Sequence, residues 1–134
     1  MPVEPAASPR RHAQSGSPLE EVIGFSRAVR AGNFICVSGT APIGADGRVH
    51  APGDVYEQTS RILEIIEETL ASLGATLAQV VRTRILMVNI GDWQEAARAH
   101  AEVFGDIRPA CTFVEVSRFI DPEWLVEIEA DCIA

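Results

Sequence analysis

The sequence predicts an α+β domain, a mixed sheet with two helices packed on one face. Three observations lead there. Val55, Thr59, Ile62, Leu63, Ile66, Leu70 and Leu73 recur at spacings of three and four, which puts one apolar stripe along a helix. The C-terminal stretch Arg108–Ala134 holds two runs of period-two alternation, each giving a strand one apolar and one polar face. The order of patterns (two or three strands, helix, strand, helix, two strands) suits a layer of helices on a sheet.

Taken in order, residues 1–20 are rich in Pro, Ser, Ala and Gly and read as a partly irregular arm, with a short strand near Arg10–Gln14. Phe25–Arg30 and Asn33–Thr40 flank Ala31-Gly32-Asn33 as a hairpin, and Asp46-Gly47 marks a tight turn. Asp54 caps the long helix, with Glu57 three residues on, and Gly74 supplies its left-handed stop. Val80–Val88 is a strand with Arg82 and Arg84 on the side of Leu86 and Val88. Asp92 with Glu95 repeats the capping arrangement for a second helix through Ala96, His100 and Val103, which Gly105 stops. In the last two strands Thr112, Val114 and Val116 alternate with Phe113, Glu115 and Ser117, and Val126, Ile128, Ala130 and Cys132 alternate with Glu127, Glu129 and Asp131. Two helices on one face leave the other face open, where Arg82 and Arg84 find carboxylates. A sheet uncovered on one side gains stability by packing against copies of itself, so a homo-oligomer is expected.

The 134 residues fit a single domain, 1–134, and 47% hydrophobic residues suffice for a core without metals or disulfides. No apolar run approaches the ~20 residues that span a bilayer, and no secretory pattern opens the chain, so a cytoplasmic protein without a membrane partner is expected. The net charge of −8 argues against nucleic acid as a partner. All eleven cations are arginine, which removes Schiff-base lysine chemistry and the phosphate-loop lysine. Cys36, Cys111 and Cys132 form no C-x-x-C pair, and His12, His50 and His100 show no ligand spacing, so neither a disulfide framework nor a metal site is expected.

The candidate chemistry gathers near the C-terminus. Glu127 is the acid–base candidate, set against a structural reading in which Glu127, Glu129 and Asp131 form an arginine-paired polar face. Cys111 is either a site thiol or a small hydrophobe. Arg108, before Pro109, either clamps a carboxylate or closes a helix end. Ser38 beside Gly39 offers a hydroxyl next to backbone N–H groups that a ligand can approach.

Taken together, FSRAVRAGNFICVSGTAP, the Gln58–Ala75 helix ending in LGA, VVRTRILMVNIGDW, and RPACTFVEV followed by VEIEA resemble the RidA (YjgF) enamine/imine deaminase family. The match runs colinearly from about Phe25 to the C-terminus. The resemblance implies a chorismate-mutase-like fold whose sheets form a trimeric barrel, with ligand clefts between subunits. It also implies cofactor-free hydrolysis of reactive enamines and imines, such as 2-aminoacrylate, to a keto acid and ammonia. The family serine falls on Ser38 and its C-terminal glutamate on Glu127. Phe25 stands for the tyrosine that lines the cleft, and Ala97 for an asparagine. Where the family's P-A-R-S places the arginine that grips the substrate carboxylate, this chain has Cys111.

A small-molecule metabolite is therefore the expected partner. One reading is a hydrolase of a small imine, enamine or related compound, in which Glu127 orients water and Cys111 shapes the pocket or acts as a thiol. The other is a trimer that binds or senses a metabolite without turnover. There Phe25, Phe113 and Trp124 would make a more apolar cleft that suits a less anionic ligand. Standard 2-aminoacrylate deamination is not expected of a chain lacking the arginine, and ribonuclease activity, attributed to some relatives, fits the acidic balance least.

Overall fold

A stripe of seven apolar or small side chains cannot stay in water, and the sheet is what covers it. In the computed structural model, which describes residues 9–134, the elements run β1 (Arg10–Ala13), α1 (Pro18–Ile23), β2 (Ala28–Ala31), β3 (Phe34–Thr40), α2 (Val55–Ser72), β4 (Val80–Met87), α3 (Trp93–Phe104), β5 (Ala110–Glu115) and β6 (Val126–Ile133). The predicted arm's residues 1–8 lie outside the described residues. The six strands form one sheet in the order β1-β2-β3-β6-β4-β5, antiparallel except for the parallel β4–β5 pair. The α+β fold with a mixed sheet is as expected.

All seven stripe residues of α2 are buried, against Ile35 and Val37 of β3, Ile85 and Met87 of β4, and Val126, Ile128, Ala130 and Cys132 of β6. Each large side chain so covered contributes about 1.5–3 kcal/mol. Asp54 caps α2 by accepting from the Glu57 N–H at 3.0 Å. The helix ends in a Schellman turn: Ala75 N–H donates to the Leu70 carbonyl, Gly74 N–H donates to that of Ala71, and Gly74 sits at φ 79°. Helix α3 packs on α2 through Ala96 and Ala99, and Phe104 closes its end.

Three expectations need correction. Residues 18–23 of the supposedly irregular arm form α1, because Ser17 caps the N-terminus, Pro18 occupies the first turn and Gly24 takes the left-handed stop at φ 84°. Asp92 makes no capping hydrogen bond. The chain enters α3 through a 3-10 turn over Ile90–Asp92 that Asn89 caps by accepting from Gly91 N–H. Helix α3 does end before Gly105, but Gly105 stays right-handed at φ −55°, and the left-handed step falls on Arg108 at φ 57°. Glycine is needed at 105 for space instead, since a Cβ there would lie 2.7 Å from the Ala101 carbonyl oxygen.

The helix-free face carries the polar side of β6. Arg84 pairs with Glu129 and Asp131, each at 3.4 Å, whereas Arg82 makes no ion pair among the described residues. These half-exposed pairs contribute little, about 0–1 kcal/mol each.

Gln58 holds the layers together. It is fully buried on α2, its Nε2 donates to the Glu123 carbonyl at 3.0 Å, and its Oε1 accepts from Leu125 N–H at 2.9 Å. This clasp fixes the loop that leads into β6. Gln58→Ala strands a buried donor and a buried acceptor of that loop, so urea titration should show a loss of about 2–4 kcal/mol.

Candidate functional site

The site begins with one extra residue in β3. Phe34 through Val37 pair in register with Ile133 through Ala130, but Thr40 pairs with Ile128, so a bulge falls at Ser38–Gly39. Bulges re-aim side chains and recur beside active sites. Here the bulge brings Gly39 against Glu127, with the ideal Cβ position of residue 39 only 3.0 Å from Glu127 Oε1. Any side chain at 39 would displace that carboxyl.

Beside the bulge lies a cavity of about 700 Å³, walled by residues 13–19, Ile23, Phe25 and Arg27, by the segment after β3, by the α2 side chains Arg61, Ile65 and Thr69, and by Ile120, Trp124 and Glu127. The arm is folded over it and fastened. Buried Glu20 accepts from the Ser15 N–H at 3.0 Å and from the Ser15 hydroxyl.

Arg27 is the charged centre of the cavity wall. Its Nη2 donates to the Gly39 carbonyl at 2.7 Å and to Ser38 Oγ, and its guanidinium lies 5.3 Å from the Phe25 ring centroid. Ser38 Oγ in turn donates to the Ser26 and Arg27 carbonyls. Burial works against the charge of Arg27, while Glu20 and then Glu127 favour it. The Arg27 Nε and the Trp124 Nε1 are both buried without an acceptor among the described residues. Burial likewise pushes the Glu127 carboxyl above its ordinary range, with Arg27 pulling it back down and Glu129 adding to the rise. An acid kept partly neutral beside a cation is suited to giving and taking a proton near neutral pH.

The structure gathers Phe25, Gly39, Trp124 and Glu127 in this wall, with Ser38 supporting Arg27 from behind. It does not bring Arg108, Cys111 or Phe113 there within one chain. Cys111 aligns with Thr83, which aligns with Ala130, so it sits two strands and three residues from Glu127, about 14 Å along the sheet, and on the opposite face. Phe113 turns to the helix side and meets the Trp93 ring edge-on at 6.3 Å. Arg108 and Cys111 are exposed. Among the described residues no group of three or more His, Cys, Asp or Glu side chains is placed to hold a metal, and no helix is long and apolar enough to cross a membrane.

Sequence reading missed Arg27, yet a signal was present. The hairpin pairs Ala28 with Val37, and one step further sets Arg27 opposite Ser38, where Ser38 N–H donates to the Arg27 carbonyl at 3.0 Å. Carrying the register outward from the Gly32-Asn33 turn would have placed a cation beside the Ser-Gly pair.

Comparison with known proteins gives consistent results. A family model described as endoribonuclease L-PSP matches residues 16–134. The chain is 40% identical to the Streptomyces coelicolor protein SCO2049 over 90% of both chains. It is 33% identical to the 3-aminoacrylate deaminase RutC of Acinetobacter baylyi, over 75% of this chain and 79% of that one. Among solved structures, Rv2704 of Mycobacterium tuberculosis, described as a member of the YjgF/YER057c/UK114 family, superposes with a TM-score of 0.86 at 44% identity. That match covers 94% of this chain and all of the other.

Because Glu127 has a folded-state pKa above its unfolded one, its contribution favours folding below the unfolded pKa and is lost as pH rises through the folded value. Glu127→Gln removes that loss. The variant should melt above the wild type at about pH 7.5, and the difference should vanish near about pH 3.

Proposed function

The chain belongs to the RidA/YjgF family, and on that premise we propose that it hydrolyses small imines or enamines, in a cleft completed by a homotrimer. The observation that carries this reading is the Glu127 carboxyl, pushed towards its neutral form by burial and facing the Arg27 side of a cavity large enough for a metabolite. The similarity to a 3-aminoacrylate deaminase supports the substrate class, since an aminoacrylate is an enamine.

The chemistry needs a proton carrier and water. Neutral Glu127 protonates an enamine at carbon, or an imine at nitrogen, and gives an iminium. Its carboxylate then takes a proton from the water that adds to the iminium carbon. The carbinolamine collapses with the proton delivered to nitrogen, so that the carbon–nitrogen bond breaks, the carbonyl forms and ammonia leaves. Imine plus water becomes carbonyl plus ammonia, and Glu127 ends as it began.

Three copies packed through their helix-free faces would cover Leu86, Val88 and Val114, and would seat a neighbour's Arg108 and Cys111 at the cavity mouth. Both residues are exposed on the edge-strand side, away from the chain's own cavity. A cytoplasmic setting is part of this reading. An RNA substrate, which the family model's description suggests, finds little support in a chain of net charge −8.

Sedimentation should give three times the 14.5 kDa chain mass. With 2-aminoacrylate or another imino acid generated in situ, ammonia release should exceed the buffer rate, and Glu127→Gln should lower it by about 10²-fold or more. No acceleration by a folded trimer overturns the hydrolase. Ligand-induced thermal stabilisation in that case makes the chain a metabolite-binding module instead.

A further inference from the structure

The Glu127 wall of the cavity holds a cation without an ion-pair partner among the described residues and two donors without acceptors. Arg27 commits Nη2 to Ser38 and Gly39, its Nε is buried and unmet, and its Nη1 has no acceptor among the described residues. Trp124 Nε1, on the same cavity, is buried and unmet as well. Folded proteins leave few such groups unsatisfied, and those they leave call for an explanation. Glu20 and Glu127 act on Arg27 only through space. Across the cavity stand the apolar side chains of Leu19, Ile23, Ile65 and Ile120.

We propose that Arg27 and Trp124 form an anion subsite, and that it holds the carboxylate of an imino or enamino acid with its reacting carbon against Glu127. The proposal rests on the hydrolase reading and names its substrate class: carboxylates with an apolar side chain, gripped from the start of β2 rather than from position 111. A carboxylate fits better than a phosphate. One guanidinium and one neutral indole N–H match a single planar negative charge, whereas Glu20 and Glu127 nearby repel a dianion. The expectation of a less anionic ligand, drawn from Cys111, is thereby reversed. The cation absent from P-A-C-T stands at Arg27, fixed by the β3 bulge and flanked by Phe25.

The test uses 4-methyl-2-oxopentanoate and its methyl ester as unreactive, product-like probes, with calorimetry on the full-length protein. Wild type should bind the acid at least about tenfold tighter than the ester. Arg27→Met should erase that preference, and Trp124→Phe should weaken the acid severalfold while leaving the ester unchanged. Arg27→Met also gives up the contacts to Ser38 and Gly39. If it does not fold, the acid-to-ester ratio on wild type and on Trp124→Phe decides the matter. Equal binding of acid and ester by wild type, a Trp124→Phe variant with an unchanged ratio, or a folded Arg27→Met variant that keeps the preference overturns the subsite. Ammonia release without a carboxylate preference refutes the subsite and leaves the hydrolase standing. An Arg27-dependent preference without ammonia release does the reverse.

Discussion

Strand β6 can take only one register, and the rest of the structure follows from that. It is hydrogen-bonded on both sides, to β3 and to β4, and its even-numbered residues from Val126 to Cys132 are buried under the helices. A slip of one residue would carry Glu127, Glu129 and Asp131 into that core, at a cost of several kcal/mol for each unpaired carboxylate. The core therefore fixes where Glu127 stands. The acid is held on rigid β structure, and its neighbours are the residues that adapt.

The adaptation lies in β3. A regular strand with a side chain at position 39 would crowd the Glu127 carboxyl. Gly39 and the bulge make room, and the displaced Gly39 carbonyl becomes an acceptor for Arg27. On the far side, Gln58 reaches from α2 to the Glu123–Leu125 backbone and so sets the position of Trp124. Each cavity-wall group is thus secured by a contact outside the cavity: Glu127 by its strand, Arg27 by Ser38 and Gly39, and Trp124 through its neighbours' backbone. Such support is what keeps a site pre-organised.

Periodicity carried most of the fold. The α2 stripe and the β6 alternation could be read because burial repeats at fixed intervals, and the Asp54 cap and Gly74 stop because their chemistry is local. Helix α1 escaped because six residues are too few for a stripe, although Ser17-Pro18 and Gly24 were there to be read. Asp92 misled because the capping spacing says nothing of a 3-10 turn placed before the helix. In the site, Phe25, Ser38, Gly39, Trp124 and Glu127 were named from residue type and resemblance, and they converge around Arg27. Arg27 itself was hidden because its role comes from hairpin register and a bulge, neither of which alters local composition. Proximity along the chain grouped Cys111 with Phe113 and Arg108, but a strand sends successive side chains to opposite faces, and two strands lie between position 111 and the cavity.

The pairing of Arg27 with Glu127 also bears on how catalysis is timed. In the empty cavity three influences act on Glu127: burial raises its pKa, Arg27 lowers it, and Glu129 on the same strand raises it. Glu20, on α1, acts on Arg27 and so reaches Glu127 only indirectly. An anion on Arg27 cancels the one influence that favours the carboxylate and displaces water, which strengthens the one that most opposes it. Both changes drive Glu127 towards its neutral form. The acid is then best able to donate its proton when a substrate is present to receive it, whereas an empty site holds it closer to the ionised state. This ordering needs no moving lid. It requires that the cation which anchors the substrate be the same one that had been holding the acid ionised.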